Sequence, residues 1–175
     1  MPSFQELFSH SRGKPIEYQG KILHLVDWLP ENRDRRVRVV FESINSDWQQ
    51  GVALKVKKGE FEIDGETVRT MAVLWCKSAP CEFIVRIKSK QRCYVKNVWD
   101  VGDGVMHSWH NGAAMIIEET LTGRRYRCND GRPDDDFDDL IFRIEFLPIS
   151  DVDKPKEPKT AMVSAETKTR KERRG

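Results

Sequence analysis

A chain of 175 residues with 38% hydrophobic and 33% charged residues is long enough for one domain with a sizeable core, and it is too polar to lie largely within a membrane. No apolar run approaches the roughly 20 residues that a transmembrane helix requires. The net charge of +2 is uneven: residues 151–175 carry eight Lys/Arg against five Asp/Glu, which leaves the remainder at −1.

Several expectations follow from these counts. A near-neutral fold offers no basic face to extend the basic tail, so nucleic acid is not an expected partner. The N-terminus reads Met-Pro-Ser-Phe-Gln-Glu and lacks the basic-then-apolar order of a signal peptide. The expected location is therefore cytoplasmic, with no membrane association.

Along the chain, Ser3 and Glu6 have capping-box spacing, which predicts a short N-terminal helix. Strand signals dominate from Ile16 onward. Residues 16–26 read as two short strands about Gly20, and residues 36–42 as a third after a turn rich in Pro, Asn and Asp. Val52, Leu54 and Val56 alternate with Ala53 and Lys55, the period-two pattern of a strand with one wet face. Lys58-Gly59 predicts a turn into Phe61 and Ile63, and Asp64-Gly65 a two-residue hairpin turn into residues 67–75. Pro80 interrupts the pattern. Strands are then expected at 83–88, 93–99, 113–118 and 124–128, with a long polar loop over 100–112. In the last strand Leu140, Phe142, Ile144 and Phe146 share one side. Nine or ten short strands with no long helical segment predict an all-β, antiparallel β-sandwich or jelly roll over residues 1–150. Residues 151–175 are too polar to bury a core and read as a disordered basic tail.

Cys76, Cys81, Cys93 and Cys128 are too sparse for a disulfide scaffold, and their spacing is unlike that of a zinc site. They are expected to be reduced and mostly buried.

The most informative segment is Asp-Gly-Arg-Pro-Asp-Asp-Asp-Phe-Asp-Asp, residues 130–139, which holds six aspartates in ten positions. Carboxylates this close repel one another unless a cation, backbone N–H groups or arginines offset the charge. Asp134, Asp136 and Asp138 lie at alternate positions with Asp139 adjacent, and Asp130 precedes them. Hard cations such as Ca²⁺ favour oxygens clustered on a compact loop. Glu145 falls where an EF-hand would place its bidentate glutamate. Asp139 at the glycine position and the strand that follows both exclude an EF-hand. Two readings compete with a cation site: a solvated turn paired with Arg124, Arg125, Arg127 or Arg132, and an acidic face for a basic protein.

Residues 134–142, Asp-Asp-Asp-Phe-Asp-Asp-Leu-Ile-Phe, resemble the Gly-Gly-Asp-Arg-Asp-Phe-Asn-Asp-Leu-Val-Phe ending of certain bacterial β-sandwich domains of uncharacterised function. The resemblance is confined to residues 129–146. It implies a calcium site with Asp134, Asp136, Asp138 and Asp139 as ligands and Asp130 as an addition. Arg132-Pro133 replaces the glycine pair and Asp138 replaces the asparagine.

The second candidate is the loop of residues 97–112, where Trp99, Asp103, His107, Trp109 and His110 cluster among glycines. An exposed tryptophan on a loop held by a sheet is suited to anchor a partner or ligand. Asp103, His107 and His110 also have the donor atoms for a transition metal, and the plain alternative is a core Trp99 with ordinary loop hydrogen bonds. Trp48 sits near a turn and could share that rim.

The chain has no nucleophile elbow, phosphate-binding glycine loop or zinc-protease motif. The expected function is thus a non-catalytic binding module for a protein or carbohydrate partner, with Ca²⁺ as the one candidate cofactor. The alternatives are a cytosolic inhibitor or immunity-type protein for a basic toxin or nuclease, and a carbohydrate-active enzyme.

Overall fold

The computed structural model describes residues 2–30 and 34–148; the expected basic tail lies outside them. Helix α1 (Phe4–His10) starts with the expected capping box. The Ser3 hydroxyl accepts from the Glu6 N–H, and the Glu6 carboxylate accepts from the Ser3 N–H. Its buried face is Phe4 and Phe8. Strands β1 (Ile16–Tyr18) and β2 (Lys21–Leu23) then form a hairpin about Gln19 and Gly20.

The remaining strands form a single antiparallel sheet. They are β3 (Asp27–Trp28), β4 (Asp34–Ile44), β5 (Gln49–Ile63), β6 (Glu66–Cys76), β7 (Cys81–Lys88), β8 (Cys93–Asp100), β9 (Ala114–Glu119), β10 (Gly123–Asn129) and β11 (Leu140–Phe146). The order is β3-β8-β5-β7-β4-β11-β10-β9, with β6 on the other side of β5. The expected all-β antiparallel class and short N-terminal helix are both present.

β5 makes the sheet curl. Residues 49–56 pair with β8, whereas residues 60–63 pair with β7. Between Lys55 and Glu60 the register against β6 shifts, as at a β-bulge. The turn expected at Lys58-Gly59 is therefore a bend inside one continuous strand, because this segment must leave one neighbour and join another. Asp64-Gly65 does form the expected tight turn, with φ positive at both residues and Ile63 opposite Glu66.

The curl encloses an apolar core. Phe41, Phe142 and Tyr126 are opposite one another on β4, β11 and β10, and the Tyr126 and Phe142 rings stack with centroids 4.5 Å apart. Each large apolar side chain buried in this way contributes about 1.5–3 kcal/mol. The two ends of the sheet are also tied together. The Tyr126 hydroxyl and the Arg124 guanidinium both donate to Asp27 Oδ2, at 2.6 and 2.9 Å, which links β10 to β3. His24 bridges Met115 on β9 through backbone hydrogen bonds. The face of β4, β11 and β10 turned away from the core carries a ladder of alternating charges, with Arg38–Glu145 at 2.8 Å, Arg143–Glu42 at 3.3 Å and Arg125–Glu42 at 3.0 Å. Part-exposed pairs of this kind contribute no more than about 1 kcal/mol each.

A smaller cluster of Phe4, Phe8, Leu23, Ala114 and Phe137 docks α1 and β2 against the loop that precedes β11. This contact positions the candidate site.

The cysteines depart from expectation. Cys76 and Cys81 form a disulfide that joins the end of β6 to the start of β7. The topology brings together two residues whose sequence spacing alone did not suggest a bond. Cys93 and Cys128 are buried free thiols as expected, and burial pushes the Cys93 thiol up to about 12. Among the described residues, no helix is long and apolar enough to cross a membrane.

Tyr126→Phe deletes one donor to a buried carboxylate and leaves the core shape unchanged. Its unfolding free energy in urea is expected to fall by about 1–2 kcal/mol with the denaturant slope unchanged.

Candidate cation site and adjoining rim

Loop 130–139 joins β10 to β11, and its shape is fixed from inside. Asn129 is fully buried and spans the loop: its Oδ1 accepts from the Phe137 N–H at 2.7 Å, and its Nδ2 donates to the Asp134 carbonyl at 2.6 Å. Phe137 has φ +54°, which disfavours an L-residue by about 1–2 kcal/mol. The ring is held there by burial, 1% exposed, against Phe4 with centroids 6.0 Å apart.

Asp130 has no solvent exposure. Its Oδ2 accepts from Ser46 Oγ (2.7 Å) and Gln50 Nε2 (3.1 Å), and its Oδ1 accepts from the Arg132 N–H (3.0 Å). It thereby ties the acidic loop to the β4–β5 turn. Asp139 is also buried, and one of its oxygens accepts from the Asp130 N–H at 2.8 Å. Asp138 accepts from Asn45 Nδ2 at 2.9 Å, and Asp135 from the Tyr18 hydroxyl at 3.0 Å.

The other consequence of this clamping is a convergence of charge. One carboxylate oxygen from each of Asp134, Asp136 and Asp139 lies within 4.8 Å of the other two. Asp130 and Asp138 stand outside that group, engaged with the β4–β5 turn. Among the described residues, no lysine or arginine makes an ion pair with any of the three. Arg124 serves Asp27 and Glu119, Arg125 serves Glu42 and Glu118, and Arg132 serves Asp47 at 3.2 Å. Asp134 Oδ1 and Asp138 Oδ1 are buried with no donor. Glu145, the EF-hand-like position, is held by Arg38 and Arg143 on the sheet.

Burial and mutual repulsion raise the affinity of these acids for protons. Burial first, then the charge of Asp136, lifts Asp134 to about 6; burial lifts Asp139 to about 7, with the charges of Asp130, Asp134 and Asp136 acting in the same sense. Three converging carboxylates, orphaned buried oxygens and, among the described residues, no ion-paired lysine or arginine fit a hard, oxygen-seeking cation.

The tryptophan–histidine loop lies against the same rim. A Cβ on Gly112 would come within 2.1 Å of the Arg132 carbonyl, and one on Gly131 within 2.9 Å of the Trp99 ring, so only glycine permits the two loops to pack this closely. Asn97 Nδ2 on β8 donates to the Asn129 carbonyl at 2.9 Å. Trp99 is buried and stacks on His107, with centroids 6.4 Å apart. His107 meets His110 edge-on at 5.9 Å, and His110 stacks on Trp109 at 5.0 Å. A file of rings thus leads from the core to Trp109, which is 49% exposed. His107 Nε2 lies 3.2 Å from Asp103 Oδ2. The carboxyl of Asp103 is held below its usual range by the Val105 N–H first and by His107 second. Among the described residues, Asp134, Asp136 and Asp139 form the one converging group of metal-ligating side chains. Asp103, His107 and His110 do not form another.

Trp48 is half-buried on the β4–β5 turn, with the Arg132 guanidinium over its ring at 4.8 Å. Asn129, Asn45, Ser46 and Gln50 build the site and escaped sequence reasoning. They are ordinary polar residues whose only signal is the partner that the fold supplies. Against known proteins, the chain matches no family model, no curated protein and no solved structure.

The raised acids set the pH dependence. Asp134 and Asp139 bind protons more tightly folded than unfolded, so their contribution to stability is greatest below about pH 4 and declines as pH rises towards 6–7. In chelator, Asp139→Asn is expected to gain on the wild type over that window by on the order of 1–3 kcal/mol, read from urea unfolding at each pH. A constant difference across the window would contradict this assignment.

Proposed function

We propose that the chain is a non-catalytic β-sheet binding module whose loop 130–139 is held in its binding shape by a divalent cation. The convergence of Asp134, Asp136 and Asp139, with none of the described arginines or lysines ion-paired to them, carries this reading. Calcium is the ion that the oxygen-only donor set and the irregular loop geometry favour. The three aspartates supply the carboxylate ligands, while Asp130 and Asp138 position the loop through Ser46, Gln50 and Asn45. The cation would relieve the repulsion that burial intensifies and draw Asp134 and Asp139 into their charged forms.

The partner-facing surface in this reading is the rim shared by Trp48, Arg132, Trp109 and His110. Trp109 suits an anchor because the rings beneath it fix its position before binding, which lowers the ordering cost.

A ligand of the native state raises stability by mass action, about 2.7 kcal/mol at a hundredfold excess over its dissociation constant. Millimolar Ca²⁺ is expected to raise the melting temperature by several degrees relative to chelator. Asp136→Asn is expected to abolish that rise and to leave the metal-free protein unchanged or more stable. If Ca²⁺ produces no shift in the wild type, the cation reading fails.

A further inference from the structure

Beside the acidic loop is a cleft of about 320 Å³ that shares Trp48 with the rim and contains none of the three cation ligands. Its walls include Ser46, Asp47, Trp48, Gln49, Gln50 and Lys77. Gln50 is fully buried, and its Nε2 is spent on the Trp48 carbonyl and Asp130. Asp47 and Lys77 are exposed, and Trp48 supplies an aromatic wall.

We propose that this cleft is the ligand site of the module and that it takes a neutral saccharide. The walls combine one flat aromatic ring with hydrogen-bonding groups of both senses. Asp47 accepts, Lys77 donates and the Gln49 amide can do either, whereas the Ser46 proton is spent on Asp130. A sugar matches that set: its hydroxyls both donate and accept, and its C–H face packs on an indole. A lipid tail would strand these polar groups without partners. A polyanion would meet Asp47 and the neighbouring aspartates.

The cleft is joined to the cation loop at two residues. Asp130 holds Ser46 and Gln50, and Arg132 both pairs with Asp47 and lies over one face of the Trp48 ring. Binding in the cleft is therefore expected to tighten when the loop is loaded. That coupling rests on the cation reading, whereas the placement of the ligand rests on the cleft alone.

The test is a titration of the full chain with cellotetraose, xylotetraose, chitotetraose and mannotetraose, in millimolar Ca²⁺ and again in chelator. The readout is the nuclear magnetic resonance signals of the Trp48 indole N–H and the Gln50 side-chain amide, with Trp28 as the distant control. At least one sugar is expected to shift the Trp48 and Gln50 signals saturably and to leave Trp28 unmoved. Trp48→Ala is expected to weaken that sugar by at least about tenfold while retaining the Ca²⁺-induced rise in melting temperature. Lys77→Ala, at an exposed position that leaves the core undisturbed, is expected to weaken the same sugar, and unchanged affinity in both variants would count against the cleft. If none of the four sugars shifts the Trp48 signal in the Ca²⁺-loaded protein, or if binding survives Trp48→Ala intact, the assignment is overturned. Saturable sugar binding at Trp48 in a protein whose melting temperature does not respond to Ca²⁺ would uphold the cleft and remove the cation reading.

Discussion

Repulsion among carboxylates that cannot move apart is the constraint on which the C-terminal end of this fold depends. Exposed aspartates on a free loop would turn outward and let water screen them. Here Phe137 is pinned in the core with a left-handed backbone, Asn129 grips the loop at two points, and Asp139 is bound to the Asp130 N–H. Burial first, and then the charge that the loop has no low-cost way to spread, account for the raised proton affinity of Asp134 and Asp139.

The same pinning links distant parts of the chain. Phe137 packs in one cluster with Phe4 and Phe8 of α1, so the N-terminal helix reinforces the acidic loop. Asp130 reaches across to Ser46 and Gln50, and Asn97 on β8 supports the Asn129 carbonyl. Three connections far apart in sequence, β4–β5, β8–β9 and β10–β11, therefore meet at one rim. The curl of β5 makes this possible, because one strand serves as neighbour to both β8 and β7.

Much of the fold was legible where a residue's role is local. The Ser3–Glu6 cap, the Asp64-Gly65 turn and the alternation of Leu140, Phe142 and Ile144 each depend on neighbours a few positions away, and each is found as expected. The bend at Lys58-Gly59 was misread as a turn, since a glycine permits either and only the exchange of β8 for β7 selects one. The Cys76–Cys81 bond was missed for a related reason: it closes the connection between two strands whose juxtaposition the sequence does not state.

For the candidate site, the sequence by itself determined that six aspartates crowd into ten residues just before a buried strand, and that tryptophan and histidine recur in one glycine-rich loop. Only the tertiary structure decided which acids converge. Asp134, Asp136 and Asp139 do, whereas Asp130 and Asp138 are drawn away by Ser46, Gln50 and Asn45. The physical reason is range. Charge density is a property of adjacent residues, but the direction in which Asp130 and Asp138 point is set by hydrogen-bond donors eighty or more positions away in the chain.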